Sequence, residues 1–193
     1  MWAVVGLGNP GRQYSGTRHN VGSALVRRVA KAWNVKLRKK IFFSKVAEVE
    51  RNEENILLAI PLTYMNRSGL AVKQILEGRR IKPENLIVVY DDLDIPLGEI
   101  RIKKRGGPGN HKGMRSIVQE IQSEEFPRIR VGIGPLPAGE NAVHYVLSRF
   151  RKSEEAELGE SLKKAQEALE LNLAGETEKA MNIYNQRGKT FFN

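Results

Sequence analysis

Near its start the chain reads Val4-Val5-Gly6-Leu7-Gly8-Asn9-Pro10-Gly11, a short apolar strand that runs into a glycine-rich turn. These letters match the G-x-G-x-x-G fingerprint of dinucleotide-binding proteins. A true fingerprint opens a helix at once and has an acidic residue about 20 positions later. Here the apolar helical spacing begins only at Val21, and no Asp or Glu precedes Glu48. The stretch therefore predicts a strand, a long loop and then a helix, and a nicotinamide-dependent dehydrogenase is the least favoured of three hypotheses.

The charge of the chain indicates a polyanionic partner. The sequence has 32 Lys/Arg and 22 Asp/Glu, a net charge of +10. Residues 151–193 hold 7 Lys/Arg and 8 Asp/Glu, so the basic excess lies entirely in residues 1–150. Such a field attracts phosphates, and nucleic acid is the commonest partner for it.

Several other classes of protein are disfavoured by composition. The chain has no cysteine, no apolar run long enough to span a membrane and no pattern of a signal peptide. We therefore expect a cytoplasmic protein without disulfides, thiolate chemistry or a membrane partner.

The apolar patterns predict an α/β fold. Strands are expected at residues 2–6, 41–49, 56–60, 86–90, 99–103 and 128–133, and helices at residues 20–33, around 72–76, at 114–122 and through most of the chain after 140. This order predicts a single three-layer domain of residues 1–193, with a mixed, twisted central sheet flanked by helices. Residues 151–193 are expected to form a helical C-terminal segment packed on that domain. Residues 136–150 follow a Gly/Pro loop and are expected to form a mobile lid.

Histidine is the side chain that titrates near neutral pH, and the chain contains three. His144 lies in an apolar helical segment and is interpreted as a packed or surface residue. His19 and His111 lie in loops rich in Gly and Asn, and Asp91 is expected at the end of a buried strand, where α/β proteins place functional groups.

The motifs of other hydrolytic sites are missing from the sequence, including the Gly-x-Ser-x-Gly elbow, the Walker-A loop and His-Glu-x-x-His. What remains is a histidine, a carboxylate and asparagines in three loops. This set fits a general base that activates water, with amides that hold a peptide.

Taken together, these residues resemble the bacterial-type peptidyl-tRNA hydrolases. Members of that family hydrolyse the ester between a peptide and the terminal ribose of tRNA, which recycles tRNA from peptidyl-tRNA that left the ribosome prematurely. The resemblance implies an ester hydrolase that needs no metal or cofactor, acts on peptidyl-tRNA and is a monomer. The matching blocks stand in family order across most of the chain, at residues 6–11, 14, 17–22, 61–69, 91–98, 107–113 and 126–134.

The resemblance assigns roles to individual positions. His19 would be the base that activates water, and Asp91 the carboxylate that orients it. Asn9 and Asn66 would bind the peptide end and the carbonyl under attack, while Tyr14 and Met65 would shape the pocket. A structural interpretation of Asn66 also stands, in which it caps the following helix.

A second set of residues would meet tRNA phosphates near the acceptor end. Arg101 and Lys103 share one face of a strand because strand side chains repeat every two residues. The resemblance supports Lys103 and Arg130 most directly. The full set of expected phosphate contacts is Arg101, Lys103, Lys104, Arg105, Arg128 and Arg130.

One loop departs from the family pattern. The family usually reads Gly-Gly-His-Asn-Gly, whereas this chain has Gly109-Asn110-His111-Lys112-Gly113. A lysine can only donate hydrogen bonds, so it cannot copy both contacts of an amide. We predict that Asn110 partly substitutes for the missing amide, that Lys112 contacts the tRNA 3′ end, and that His111 lies with them at the substrate.

The alternative hypothesis is a non-catalytic RNA-binding protein on the same fold, because related chains serve in intron splicing. Those relatives alter the Asp-Asp-Leu-Asp block, which is intact here at residues 91–94.

Overall fold

The computed structural model describes residues 1–186. Its strands are β1 (Trp2–Gly6), β2 (Lys39–Ile41), β3 (Ser44–Arg51), β4 (Glu54–Pro61), β5 (Leu86–Pro96), β6 (Ile100–Lys103) and β7 (Arg128–Gly134). Its α-helices are α1 (Val21–Ala32), α2 (Ser68–Arg79), α3 (Lys112–Ile121), α4 (Ala142–Leu147), α5 (Glu155–Leu173) and α6 (Thr177–Tyr184).

The strands form one sheet in the order β2-β3-β4-β1-β5-β7-β6. The four inner strands β4, β1, β5 and β7 run parallel, whereas β2, β3 and β6 pair antiparallel with their neighbours. The carboxyl ends of the inner strands therefore lie along one edge of the sheet, which we call the carboxyl edge. In open α/β sheets, ligands bind at this edge.

Helices cover both faces of the sheet, as the sequence predicts. Leu25 of α1, Leu169 of α5 and Ala180 of α6 are fully buried against one face. Ile75 of α2 and Met114 of α3 are fully buried against the other. The three-layer α/β architecture with a mixed sheet and a helical C-terminal region is confirmed for the described residues, and residues 187–193 of the predicted domain lie outside them.

Two strand predictions were wrong. The strand expected at residues 41–49 is two strands, because the chain reverses at Phe42 and Phe43, whose φ angles are 53° and 49°. The strand expected to end at residue 90 continues through Asp91 to Pro96, because β7 keeps pairing with it after the β1 ladder has ended at Val89.

Two helix boundaries also differ from expectation. Helix α3 begins at Lys112, two residues earlier than predicted. Extended backbone at Ser148 and Arg151 separates α4 from α5. Residues 136–150 therefore comprise a loop and the short helix α4, and the mobility predicted for them stays a prediction. Among residues 1–186, no helix is both long and apolar enough to cross a membrane.

Two glycines let β1 and α1 approach closely. A Cβ atom at Gly6 would lie 2.2 Å from the carbonyl oxygen of Gly22, and one at Gly22 would lie 2.2 Å from that of Val89. The backbone amide of Ser23 also donates to the carbonyl of Leu7 at 2.9 Å. Because α1 begins so near the carboxyl edge, the turn before it, which carries His19, lies directly over that edge.

Candidate active site

His19, Asp91 and His111 form one cluster at the carboxyl edge. His19 lies in a 3-10 turn just before α1, Asp91 lies on β5, and His111 is the residue before α3. Nδ1 of His19 lies 2.8 and 2.9 Å from the two carboxylate oxygens of Asp91, and Nε2 of His111 lies 3.0 Å from Oδ1. His19 and Asp91 are buried and His111 is half-buried. One carboxylate therefore holds two imidazoles that the sequence places 92 positions apart at residues 19 and 111.

The hydrogen-bond partners assign the tautomers of both rings. Nδ1 of His111 accepts from the backbone amide of Met114 at 3.2 Å and so caps α3. Its proton is therefore on Nε2, which donates to Asp91. His19 donates to the same carboxylate through Nδ1, which leaves the lone pair of its Nε2 available as a base.

The charge of Asp91 follows from this arrangement. Burial alone would raise the pKa of Asp91, but His111 and His19 outweigh it and hold that pKa well below its ordinary value. Asp91 is thus an ionised carboxylate at neutral pH, able to orient His19 and to stabilise a positive charge that forms on it.

The cluster opens into a cavity of about 660 Å³. Its lining combines His19 and Asp91 with amides, cations and apolar side chains. Of the predicted site residues, the cavity walls include Asn9, His19, Met65, Asn66, Asp91, Lys103, Asn110, His111, Lys112 and Arg130. The predicted residues Tyr14, Arg101, Lys104 and Arg105 are not among the wall residues.

Asn9 and Met65 join two loops at the carboxyl edge. The side-chain oxygen of Asn9 accepts from the backbone amide of Met65 at 2.8 Å. The side chain of Asn20 brackets the backbone of Asn9, accepting from its amide at 2.8 Å and donating to its carbonyl at 3.0 Å. With its oxygen engaged, the free group of the Asn9 side chain is the NH₂, which can only donate.

Asn66 does not cap a helix. Asn66 is an exposed residue of the 3-10 turn Met65–Arg67, and neither the cap of this turn nor the cap of α2 involves a side-chain hydrogen bond. Within residues 1–186 its side chain has no hydrogen-bond partner in the structure, and it lines the cavity. The capping interpretation of Asn66 is therefore not supported.

Tyr14 does not line the cavity itself but contacts Tyr64, a wall residue that the sequence interpretation did not single out. Its ring meets that of Tyr64 edge to face, with centroids 6.4 Å apart, and Tyr64 is the one in the wall. Tyr90 was missed in the same way, and its ring lies 4.8 Å from that of His111. Tyr64 lies inside the block at residues 61–69 and Tyr90 ends the strand predicted at 86–90, but an aromatic side chain carries no signal of its own about where it points.

The loop before α3 presents Asn110 and Lys112 differently. The side-chain oxygen of Asn110 accepts from Nη2 of Arg115 at 2.8 Å, and Nε of Arg115 donates to the carbonyl of Gly109 at 2.8 Å. Only the NH₂ of Asn110 is free for a ligand. Lys112, exposed in the first turn of α3, also lines the cavity.

Cations from β6 and β7 form the far wall of the cavity. Arg101 is opposite Arg130 and Lys103 is opposite Arg128 in the antiparallel ladder. Directly opposed like charges are unfavourable unless something compensates them. Arg130 is compensated by Asp92, whose carboxylate accepts from Nε at 2.7 Å.

The other cations differ in how far they are compensated. Arg101 pairs with Glu99, Lys104 with Glu178 and Arg105 with Glu125. Arg128 is buried, and its Nη1 and Nη2 donate to the carbonyls of Gly107 and Glu124 at 3.1 Å each. Lys103 is exposed and, within the described residues, has no ion pair.

The cluster of His19, Asp91 and His111 also has the composition of a metal site. The tautomer of His111 argues against that use, because a metal ligand needs an unprotonated nitrogen. Nε2 of His111 carries the proton as long as Nδ1 caps α3. The three side chains therefore fit a hydrogen-bonded His19–Asp91 dyad, with His111 as a second donor to Asp91, better than a metal-binding site.

Comparisons with known proteins identify the family. A family model described as Peptidyl-tRNA hydrolase matches residues 3–191. The chain is 43% identical to a peptidyl-tRNA hydrolase of Shouchella clausii over 96% of this chain and 100% of the relative. It is 44% identical to one of Chloroflexus aggregans over 96% and 99%.

Solved structures agree with the sequence relatives. A crystal structure of peptidyl-tRNA hydrolase from Acinetobacter baumannii superposes with a TM-score of 0.88 at 34% identity, covering 94% of this chain and 93% of that one. None of these findings favours the non-catalytic alternative. The match of a family model across nearly the whole sequence, together with relatives of full length, shows that this chain belongs to the peptidyl-tRNA hydrolase family.

Proposed function

We propose that this protein hydrolyses the ester bond between the peptide and the 3′-terminal ribose of peptidyl-tRNA, with His19 as general base. The observation that carries the mechanism is the dyad, in which Asp91 holds Nδ1 of His19 at 2.8 and 2.9 Å while Nε2 is left for a water molecule. The family membership of the chain supports the substrate.

In the proposed reaction, Nε2 of His19 takes a proton from water as the water oxygen attacks the ester carbonyl carbon. The imidazolium that forms is stabilised by Asp91, whose pKa lies far too low for it to take the proton itself. When the bond from the carbonyl carbon to the ribose oxygen breaks, His19 returns the proton to that oxygen. The products are a peptide acid and a tRNA with its terminal hydroxyl restored.

Amide donors hold the acyl part of the substrate. The NH₂ of Asn9 is free to donate because its oxygen is held by Met65. A donor aimed at a developing oxyanion lowers the activation barrier by about 3 kcal/mol. Asn66 has both its oxygen and its NH₂ available, which suits a peptide backbone that donates and accepts. Tyr14 acts through Tyr64, which forms the wall beside Met65.

The neighbouring residues Asn110, His111 and Lys112 have different proposed roles. His111 has both ring nitrogens engaged, so it serves the substrate indirectly, by holding Asp91. Lys112 is free to meet a phosphate of the tRNA 3′ end, and the NH₂ of Asn110 is free to donate to the substrate.

Phosphates of the tRNA acceptor end bind to the cations of β6 and β7. Lys103 and Arg130 carry most of this contact, because both line the cavity that contains His19. Arg101, Lys104 and Arg105 contribute less, since none of them lines that cavity. Phosphate contacts are blind to sequence, which suits an enzyme that accepts many tRNAs.

The decisive experiment is hydrolysis of a model N-acyl-aminoacyl-tRNA by the wild-type protein and by the His19→Ala variant. The variant should bind the substrate with unchanged affinity and cleave it very slowly, because the cavity is intact and the base is missing. Cleavage at the wild-type rate would refute the mechanism. If the wild-type protein bound RNA but did not cleave the ester, the function itself would be wrong.

Three further features belong to the proposal. The enzyme works without a metal, so activity should survive exhaustive dialysis against a chelator. It acts as a monomer, which sedimentation at working concentrations would test. Its place is the cytoplasm, where translation produces its substrate, and cell fractionation would check this.

A further inference from the structure

The residue before the proposed base is a buried arginine that the mechanism above does not use. Arg18 is 2% exposed and shares the 3-10 turn of His19. Its backbone amide donates to the carbonyl of Ser148 at 3.0 Å, and Thr17 forms an isolated β-bridge with Arg149. The turn that carries His19 is thus bound to residues 141–154, which we call the α4 segment.

The side chain of Arg18 strengthens this connection. Its Nη2 donates to both carboxylate oxygens of Glu154, at 2.9 and 2.8 Å. The guanidinium carbon lies 4.4 Å from the ring centroid of Tyr145 and 4.7 Å from that of Phe150. A planar guanidinium can stack on aromatic faces and pair with a carboxylate at once, which a lysine cannot do. Arg18 therefore contacts the α4 segment through both charge and shape.

Glu154 is charged in this environment. Burial alone would raise its pKa, but the backbone amide of Arg151 and the guanidinium of Arg18 lower it below the ordinary value. Its Oε2 also accepts from that amide at 2.6 Å. The backbone just before α5 therefore holds the Glu154 carboxylate in place, and Arg18 pairs with a carboxylate whose position is fixed.

The α4 segment is a wall of the cavity with few other anchors. Val143, Val146 and Leu147 face the cavity, while Tyr145 is the only residue of α4 that is buried. The hydroxyl of Tyr145 donates to the carbonyl of Ile133 at 2.7 Å. An element with so few buried contacts depends on each anchor for its position, and the Arg18 pair supplies one of them.

We propose that Arg18 is a positioning residue that, through Glu154, Tyr145 and Phe150, fixes the α4 wall and the His19 turn relative to one another. The inference rests on the proposed function, since it assigns His19 as the base and the cavity as the substrate site. A substrate that contacts Val143 and Leu147 is thereby placed at a fixed distance from the turn that carries His19. A catalytic group displaced by about 1 Å loses about 10²-fold in rate.

The test compares a single variant with a double variant. Arg18→Met leaves the half-buried Glu154 without its guanidinium partner, so we expect a lower melting temperature and a fall of about 10²-fold in kcat. In Arg18→Met/Glu154→Gln both charges are gone, and the side-chain oxygen of the glutamine can still accept from the backbone amide of Arg151. The double variant should therefore regain its melting temperature but not its kcat, because methionine and glutamine do not hold each other in a fixed direction as the two-oxygen ion pair does.

A matched control pair lies elsewhere in the chain. Arg79 pairs with Glu48 and lies over the ring of Phe42 at 5.1 Å, but none of the three lines the cavity. Arg79→Met and Arg79→Met/Glu48→Gln should leave kcat and KM unchanged.

Two outcomes would overturn the inference. One is a double variant of Arg18 and Glu154 that regains both its melting temperature and its kcat, which would make the pair a purely structural contact. The other is an Arg18→Met variant with wild-type kcat and KM. Failure of the proposed function looks different, because the wild-type protein would then bind RNA without cleaving the ester. Failure of the proposed mechanism would appear as cleavage by His19→Ala at the wild-type rate.

Discussion

Replacement of Asp91 by asparagine tests the dyad most directly. The carboxylate accepts three close contacts in the structure, two from Nδ1 of His19 and one from Nε2 of His111. Oδ1 contacts both rings, whereas Oδ2 contacts only Nδ1 of His19, and an asparagine would put a donating NH₂ at one of these two positions. Because the bond from Met114 fixes the proton of His111 on Nε2, His111 requires an acceptor at the Oδ1 position. The NH₂ of the asparagine then takes the Oδ2 position, which lies 2.9 Å from Nδ1 of His19.

The consequence is a change of tautomer at the base. Two N–H groups repel each other at that distance, so the substitution favours the tautomer in which Nδ1 of His19 accepts from the amide. The ring proton then lies on Nε2, and the lone pair that takes a proton from water is lost. The same substitution in a Ser-His-Asp triad lowers kcat by about 10⁴-fold. That factor corresponds to about 5.5 kcal/mol of barrier at 1.36 kcal/mol for each tenfold step. KM should change little, since Asp91 is buried and the walls of the cavity are kept.

The assay is single-turnover hydrolysis of N-acyl-aminoacyl-tRNA at neutral pH, with Glu84→Gln as the control. Glu84 is exposed and does not line the cavity, so the same change of a carboxylate to an amide there should leave kcat within about twofold, the usual size of a remote surface effect. A kcat for Asp91→Asn within tenfold of wild type would refute the tautomer argument.

Four further outcomes follow from the site. Asn9→Asp keeps the bond to Met65 but loses the donor, so kcat should fall by about 10²-fold with little change in KM, measured by steady-state hydrolysis. Lys103→Ala should reduce the salt dependence of KM by about one unit of log-log slope, whereas Lys104→Ala, whose lysine is already paired, should not, as a salt titration would show. Lys112→Asn should weaken tRNA binding, and unchanged affinity and turnover would leave Lys112 without a role. Because the pKa of Asp91 is lower in the folded protein, the hydrogen bonds to its ionised carboxylate stabilise the fold above about pH 4, and this stabilisation is lost as the pH falls further. The difference in free energy of unfolding between wild type and Asp91→Asn should therefore shrink below that pH in urea titrations.

The layers of the fold could be predicted from the sequence because they depend on local apolar patterns. Residues 86–90 form an uninterrupted apolar run, and they lie fully buried at the centre of the sheet. The reversal at Phe42 and Phe43 could not be predicted, because phenylalanine rarely adopts a positive φ. There the tertiary contacts decide, since Phe42 packs against Gly78 and under Arg79.

The sequence allowed us to predict which residues form the site better than which of them contact one another. His19 and Asp91 were chosen as chemically capable residues, and they are in direct contact. That His111 supports Asp91 and caps α3 is a fact of three-dimensional geometry with no trace in the letters. Arg18 was passed over for the same reason, since its partner Glu154 is distant in the sequence.

The close approach of β1 and α1 gives the opening glycine pattern a different meaning from the one its letters suggest. In a dinucleotide-binding protein such glycines make room for a pyrophosphate. Here the space at Gly6, the first glycine of that pattern, is filled by the backbone of Gly22 in helix α1 of the protein itself. A glycine signature therefore records that something must come within van der Waals distance of a main chain, and it does not say whether that neighbour is a ligand or another part of the fold. Any search that equates the pattern with a nucleotide will misassign chains like this one, in which the pattern serves to place a histidine.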